Sequence, residues 1–212
     1  SVTVVAADDF DFKSLDFKNK DGTMTKLLNY TVASKDYTIF FDDGIYNNTD
    51  STDYTGLSKE NASYVGLNKA ANGDSAVVIS KNPRSGTGNA NIDGKMERWI
   101  FMHKNIYIEN LRFDAKGKDM YPVGGGSGSS KVPKNRGEYF FTITGGGVEK
   151  GCDGFVMRDV VLENIGADSS TEYPAFWGVD TRNKNIAINV LYNPGRVNIE
   201  NLKVRNIKTT EG

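Results

Sequence analysis

The segment Ile106-Tyr-Ile-Glu-Asn-Leu-Arg-Phe113 is the strongest indication of the fold, because its pattern occurs twice more along the chain. In each copy apolar residues alternate over three positions, an Asn or Asp follows after one more residue, and a second alternating triplet begins at once. The other copies are Phe155-Val-Met-Arg-Asp-Val-Val-Leu162 and Val197-Asn-Ile-Glu-Asn-Leu-Lys-Val204. The polar residue between the triplets is therefore Asn110, Asp159 or Asn201.

This pattern predicts two strands joined by a one-residue corner. Alternation with period two is typical of a β-strand, and the polar residue shifts the phase by one position. Such a shift requires a bend, and Asn and Asp tolerate the left-handed backbone conformation better than other residues with a side chain. Each segment is thus interpreted as strand, corner and strand.

The repeats predict a coil of three strands per turn with stacked apolar side chains inside. Further strands are predicted just upstream of the three repeats, at 99–102, 139–144 and 186–191. The offsets of 49 and 42 residues between Asn110, Asp159 and Asn201 are long for one coil, and we interpret each as two coils with loop insertions. A β-sandwich also has short alternating strands and stays open as an alternative, although unrelated strands would not share one phase break.

Composition supports an all-β protein and names no partner. The chain has 212 residues, of which 23 are Gly, 5 are Pro and 1 is Cys. Its 26 basic residues nearly cancel its 27 acidic ones, so no net positive field indicates nucleic acid. No apolar run approaches the length of a membrane-spanning helix, and Cys152 alone excludes an internal disulfide framework.

The repeats resemble the right-handed parallel β-helix of the pectate-lyase-like superfamily. In that family a recurring Asn forms a ladder at the corner between two strands, and Asn110, Asp159 and Asn201 resemble that ladder. The segment Thr38-Ile-Phe-Phe-Asp-Asp-Gly-Ile-Tyr46 is similar to the opening strand element of the family. The resemblance implies a fold but no single activity, because the superfamily holds lyases, hydrolases, tailspikes and adhesins.

Two regions follow from the predicted β-helix. Residues 1–35 are expected to form an N-terminal cap with a short helix, since an open coil exposes unpaired strand edges. Residues 36–212 are expected to form the coils, with long loops at 116–137 and 166–184. The chain stops directly after a repeat, which we interpret as truncation of a longer protein at its C-terminus.

Both long loops are expected to leave the same side of the coil and to wall a groove along the first sheet. Cationic groups pair with carboxylates and aromatic rings cover sugar rings, so the groove suggests an acidic polysaccharide. The candidate ligand-binding residues are Lys116, Lys118, Lys131, Lys134, Arg136, His103, Tyr173, Trp177, Arg182 and Lys184. Each lysine also has a simpler interpretation, as a charge that keeps a Gly- and Ser-rich loop solvated.

A lyase of this family needs a base for the α-carbon proton and commonly a Ca²⁺ ion that neutralises the sugar carboxylate. The candidates for the base are Arg182 and Lys150, and those for the metal are Glu149, Asp153 and Asp180. The Trp-Ile-Asp-His element of pectate lyases is absent, because Trp99-Ile-Phe-Met102 has Phe in place of Asp. No cofactor is certain, and Ca²⁺ is the one considered.

We therefore expect a noncatalytic glycan-binding protein, similar to the lyase-like binding regions of serine-rich-repeat adhesins. The partner would be an acidic, pectin-like polysaccharide or a host glycan, with neither nucleic acid binding nor membrane insertion. The expected location is secreted or on a bacterial cell surface. The alternative is a polysaccharide lyase that cleaves uronate chains by β-elimination.

Overall fold

A computed structural model describes residues 2–7, 10–11, 16–18, 24–25, 37–88, 93–121, 138–167 and 185–208. These ranges contain seventeen β-strands and no α-helix. Within the same ranges, no helical segment has the length and apolar character needed to cross a bilayer. The predicted all-β class is confirmed.

The strands form three parallel sheets and one small antiparallel sheet. The six-stranded sheet consists, in spatial order, of β1 (Val2–Val5), β5 (Tyr37–Phe41), β7 (Ala62–Gly66), β10 (Tyr107–Glu109), β13 (Phe155–Arg158) and β16 (Val197–Glu200). The five-stranded sheet consists of β17 (Lys203–Ile207), β14 (Val161–Ile165), β11 (Arg112–Lys118), β8 (Val77–Lys81) and β6 (Gly44–Asn48). The three-stranded sheet consists of β15 (Asn185–Leu191), β12 (Glu138–Thr144) and β9 (Trp99–Phe101), and the antiparallel sheet of β2 (Phe10–Asp11), β3 (Asp16–Lys18) and β4 (Met24–Thr25).

The chain visits the three parallel sheets repeatedly in one order. It passes from β7 to β8 and β9, then from β10 to β11 and β12, then from β13 to β14 and β15. Every described strand pair in these sheets is parallel, so each strand lies beside the one from the previous passage. A connection between parallel strands must cross over, and here the crossover runs through the other two sheets.

The two-coil interpretation of the repeat spacing is wrong. Ile108 pairs directly with Met157, and Met157 pairs directly with Ile199. Consecutive repeats are therefore neighbouring strands, and each offset of 49 or 42 residues is a single passage. The spacing is long because one passage carries residues 119–137 and the next carries residues 166–184 between two strands.

The predicted corner at the polar residue of each repeat is confirmed. Asn110, Asp159 and Asn201 have φ values of 52°, 52° and 50°, which place all three in the left-handed region. The side chains form a ladder along the corner: Asn201 Nδ2 donates to Asp159 Oδ1, and Asn110 Nδ2 donates to the carbonyl oxygens of Gly66 (2.8 Å) and Asn68 (3.0 Å).

One apolar core lies between the three parallel sheets. Its members come from all three, including Ile108 of the six-stranded, Phe113 of the five-stranded and Phe141 of the three-stranded sheet. The Phe101 and Phe141 rings stack with centroids 4.5 Å apart, and the Phe113 ring meets that of Phe141 edge-on at 5.2 Å. Alternation buries every second residue of a strand, which is why the repeats carry apolar residues in that phase.

The two ends of the sheets differ in how they are covered. At the first, the Phe10 ring contacts Phe41 at 5.2 Å, and β1 extends the six-stranded sheet beside β5. The short helix expected within residues 1–35 does not occur in their described part, which consists mainly of strands. At the other end, Val204 and Ile207 are 40% and 39% exposed, whereas their partners Leu162 and Ile165 are fully buried.

Candidate ligand-binding site

The two long loops, residues 119–137 and 166–184, are called here the first and the second excursion. Their first residues meet at the border between the five-stranded and three-stranded sheets. Asp119 Oδ1 accepts a hydrogen bond from the backbone N–H of Ala167 at 3.1 Å. Asp119 begins the first excursion just after β11, and Ala167 begins the second just after β14. Asn185, where the chain returns, donates its Nδ2 to the same oxygen at 3.1 Å. We call the region formed by Lys118, Asp119, Ala167 and Asn185 the excursion border.

Asp119 is the anchor of this border and is already fully engaged. Its second oxygen lies 3.1 Å from the Lys95 ammonium, and both side chains are largely buried. Burial raises the pKa of Asp119, but the Ala167 N–H, the Asn185 amide and the Lys95 charge more than offset it and hold the pKa below its usual range. This carboxylate therefore joins two excursions and is not a ligand-binding acid.

A second buried ion pair lies beside the border. Arg84 donates its Nε to Glu97 at 3.0 Å, and its guanidinium lies 4.0 Å from the centre of the Tyr121 ring. Tyr121 is the last described residue at the start of the first excursion. The pair thus fixes the base of that excursion, with the Glu97 charge compensated inside the protein.

Lys81, at the end of β8, is a buried lysine that the sequence analysis did not single out. Its Nζ donates to the carbonyl oxygens of Asp53 (2.5 Å) and Arg98 (2.6 Å) and lies 3.8 Å from the centre of the Trp99 ring. Burial lowers the pKa of Lys81 to about 7. The signal was available, because Lys81 is in phase with the inward-facing Val77 and Ile79. Full burial excludes direct contact with a polymer.

Of the predicted binding residues, Lys118 belongs to the excursion border, and Lys116 lies two residues before it on β11. Both side chains are exposed, at the end of β11. Lys116 has φ of 55°, its backbone N–H donates to Asp114 Oδ1 at 2.7 Å, and its Nζ donates to Asn47 Oδ1 at 2.6 Å. The carbonyl of Lys118 accepts from the Gly166 N–H at 2.9 Å, which ties it to the root of the second excursion.

Eight of the predicted site residues lie outside the described ranges, and their roles stay predictions. They are Lys131, Lys134, Arg136, Tyr173, Trp177, Asp180, Arg182 and Lys184.

The remaining predicted site residues lie at the opposite end of the three-stranded sheet. His103 follows β9, where its exposed ring accepts or donates a 2.9 Å hydrogen bond with Ser58 Oγ. Glu149, Lys150 and Asp153 lie in the turn after β12. Strand β12 runs seven residues from the border to that turn, a length of roughly 20 Å. The structure therefore separates His103 and Lys150 from Lys116 and Lys118.

Asp153, one of the predicted metal ligands, forms an ion pair with Arg196. Its carboxylate accepts from the Arg196 backbone N–H at 2.8 Å and from Arg196 Nε at 3.2 Å, and the arginine side chain holds the pKa of Asp153 below its usual range. Among the described residues, no three His, Cys, Asp or Glu side chains are grouped as a metal site would require. The set of Glu149, Asp153 and Asp180 stays a prediction, since Asp180 is not described.

The outer face of the three-stranded sheet is covered. Phe141 and Ile143 point into the core, so their neighbours Phe140, Thr142 and Thr144 point outward, yet these are only 0%, 5% and 6% exposed. Ile100, opposite Thr142, is 8% exposed. The described part of the three-stranded sheet, along which the groove was expected, therefore exposes little of these residues.

Comparison with known proteins assigns no family. The chain matches no protein-family model, no curated protein and no solved structure.

Proposed function

We propose that this chain is a right-handed parallel β-helix of the pectate-lyase-like kind that binds an acidic polysaccharide at the excursion border, as a secreted or cell-surface protein. Three features support the fold: purely parallel sheets visited in a constant order, one core shared by all three, and a left-handed Asn or Asp at each equivalent corner. The polysaccharide is proposed from the chemistry of the border.

The observation that carries the proposal is the contact of Asp119 with Ala167. It brings together the roots of both excursions, from which the basic residues predicted for the two excursions follow along the chain. Lys116 and Lys118 stand exposed at the same place. Repeated carboxylates along a uronate chain would pair with exposed ammonium groups such as those of Lys116 and Lys118.

The charges already paired inside the border favour an anionic ligand over a cationic one. The carboxylates of Asp119 and Glu97 are buried and neutralised by Lys95 and Arg84. The charged side chains exposed to solvent at the end of β11 are the lysines Lys116 and Lys118. Buried carboxylates with such partners contribute little outward field, whereas exposed lysines attract anions from solution.

Binding of polygalacturonate tests the proposal. The double variant Lys116→Gln/Lys118→Gln is expected to bind it several-fold more weakly, and wild-type affinity is expected to fall as salt is raised. The matched control is Lys59→Gln/Lys104→Gln, which removes the same charge where the Lys104 carbonyl accepts from Asn61, away from the border. Equal loss in both double variants, or salt-independent binding, would contradict the proposal.

The same polymer distinguishes binding from cleavage. Incubation with polygalacturonate and Ca²⁺ is expected to yield no ultraviolet-absorbing unsaturated product. Binding is favoured because Lys150, one of the two predicted bases, lies at the far end of the three-stranded sheet from Lys116 and Lys118. Formation of that product would make the chain a polysaccharide lyase.

A further inference from the structure

The last passage of the stack exposes the edge of the apolar core. It consists of β15, β16 and β17, which we call the open end, and in the described part of the chain no strand lies beyond them. Val190 and Val204 point inward yet are 46% and 40% exposed, whereas their partners Ile143 and Leu162 are fully buried. An apolar solenoid end of this kind marks a surface that another structure covers.

The charges of the six-stranded sheet show what the covering strand must carry. Glu109, Arg158 and Glu200 lie side by side on consecutive strands and alternate in sign. Just before the last two of these strands, Arg196 Nε lies 3.2 Å from Asp153 Oδ1. The side chains of Arg196 and Glu200 stay 86% and 45% exposed at the open end. A strand that continued both alternations would place a base beside Glu200 and an acid beside Arg196.

A second copy of the same strand meets this requirement when it runs antiparallel. Arg196 and Glu200 lie two positions on either side of Asn198 and share its face of the strand. A two-fold axis at Asn198 therefore places Arg196 of each copy opposite Glu200 of the other. The same axis places Val197 of each copy opposite Ile199 of the other, so apolar side chains also meet.

The backbone of β16 favours the same register. The carbonyl oxygens of Arg196 and Glu200 accept from N–H groups of the preceding passage at 3.0 Å and 3.1 Å. Backbone groups alternate in direction along a strand, so those of Val197 and Ile199 point to the open side. In an antiparallel pair centred on Asn198, Val197 and Ile199 are opposite each other and exchange both of their hydrogen bonds.

The strands on either side of β16 match in height and in charge. The chain advances by one strand spacing per passage, about 4.8 Å, so β17 protrudes and β15 recedes. A two-fold axis at β16 lays β17 of each copy over β15 of the other. Strand β15 has no charged residue, so Lys203 and Arg205 of β17 meet no like charge there. An axis at Val204 would instead place Lys203 opposite Arg205.

We propose that the open end binds a second copy of this chain, in a two-fold symmetric dimer whose two β16 strands pair antiparallel at Asn198. Four backbone hydrogen bonds and two ion pairs between Arg196 and Glu200 hold the copies in register. The exposed apolar residues of each copy cover those of the other. Because one contact uses both open ends, assembly stops at two copies.

Sedimentation velocity of the 212-residue chain at about 100 μM tests the proposal, with a dimer of twice 23.3 kDa as the expected species. Arg196→Glu and Glu200→Arg are each expected to weaken self-association at least about tenfold, because each sets like charges opposite each other. An equimolar mixture of the two variants is expected to restore the dimer, since each supplies the charge that the other lacks. The control Lys104→Glu reverses an exposed charge away from the open end and is expected to leave the dimer unchanged.

A cross-link keeps the test decisive if the charge variants fail to fold. Asn198→Cys in a chain with Cys152→Ser is expected to form an intermolecular disulfide under mild oxidation, because the axis sets position 198 opposite itself at about 4.5 Å. Lys104→Cys in the same background is expected to form none.

A wild-type monomer at about 100 μM would overturn the proposal and leave the open end to a different partner. Assemblies larger than two copies would overturn it as well, because they require stacking of unlike ends. A dimer that persists undiminished in both charge variants, or the absence of the Asn198→Cys cross-link, would equally contradict pairing at β16.

Discussion

Raising the pH from 7 to 9 is expected to stabilise the fold, because Lys81 carries a proton in the unfolded chain that the native state releases. The Lys81 ammonium is completely enclosed between the carbonyls of Asp53 and Arg98 and the Trp99 ring. Burial lowers its pKa from 10.5 to about 7, against the opposing charges of Glu97, Asp53 and Asp50, while Arg98 reinforces the decrease.

The magnitude follows from linkage. The free energy of unfolding rises with pH wherever the unfolded state binds more protons, which for Lys81 is the interval from about 7 to 10.5. The full interval corresponds to about 5 kcal/mol, of which about 2 kcal/mol falls between pH 7 and pH 9. The measurement stops at pH 9, because burial raises the pKa of Cys152 from 9.0 to about 12 and the stability contributed by its neutral thiol declines above pH 9.

Urea unfolding followed by tryptophan fluorescence at pH 7, 8 and 9 measures this rise, with Lys81→Met as the control. Methionine has a similar length and no charge, so its curve is expected to be nearly flat over the same range. The variant also leaves the carbonyls of Asp53 and Arg98 without their donor. This lowers its free energy of unfolding by the same amount at each pH, so it does not change the dependence of that free energy on pH. Equal stability of the wild type at pH 7 and pH 9, or an equal rise in Lys81→Met, would contradict the release of a proton by Lys81 in the native state.

Two substitutions test the corner and its packing by the same unfolding assay. Asp159→Asn is expected to add about 1 kcal/mol to the free energy of unfolding, because the new amide donates to the buried Asn110 Oδ1 and this outweighs the loss of the 3.5 Å ion pair with Lys69 and of the charge on the acceptor of the Asn201 amide; a loss of stability would contradict the ladder. Gly66→Ala is expected to cost about 3 kcal/mol, since its Cβ would lie 2.1 Å from the Asn110 carbonyl oxygen. Gly73→Ala meets no atom within 4 Å and carries only the strain of φ 81°, about 1 kcal/mol, so equal costs for the two glycines would contradict the packing.

The strands and corners were predictable from the sequence because both are local. The alternation over Ile106 to Ile108 indicates the strand, and the single Asn110 indicates the bend and its left-handed φ. Both signals lie within eight residues of sequence. The contact between the roots of the two excursions agrees with their origin at equivalent strands, whereas the groove predicted between the loops stays a prediction.

What the sequence could not supply depends on contacts between distant residues. The interpretation of each repeat spacing as two coils was wrong because a loop insertion and an additional coil lengthen the spacing in the same way. The direct pairing of Met157 with Ile199 distinguishes the two possibilities. The ion pair of Asp74 with Lys203 joins two residues that are 129 positions apart in the chain. The covering of Phe140 and Thr142 likewise depends on tertiary contacts that alternation does not contain.

The most direct test of the stacked passages is a disulfide between Val156→Cys and Asn198→Cys in a chain that carries Cys152→Ser. These positions are partners in neighbouring parallel strands, about 5 Å apart, so an intramolecular disulfide is expected to form readily under mild oxidation. Tyr107→Cys with Asn198→Cys lies two strands apart and is expected not to form one. Absence of the first disulfide, or formation of the second, would contradict the claim that consecutive repeats are adjacent turns.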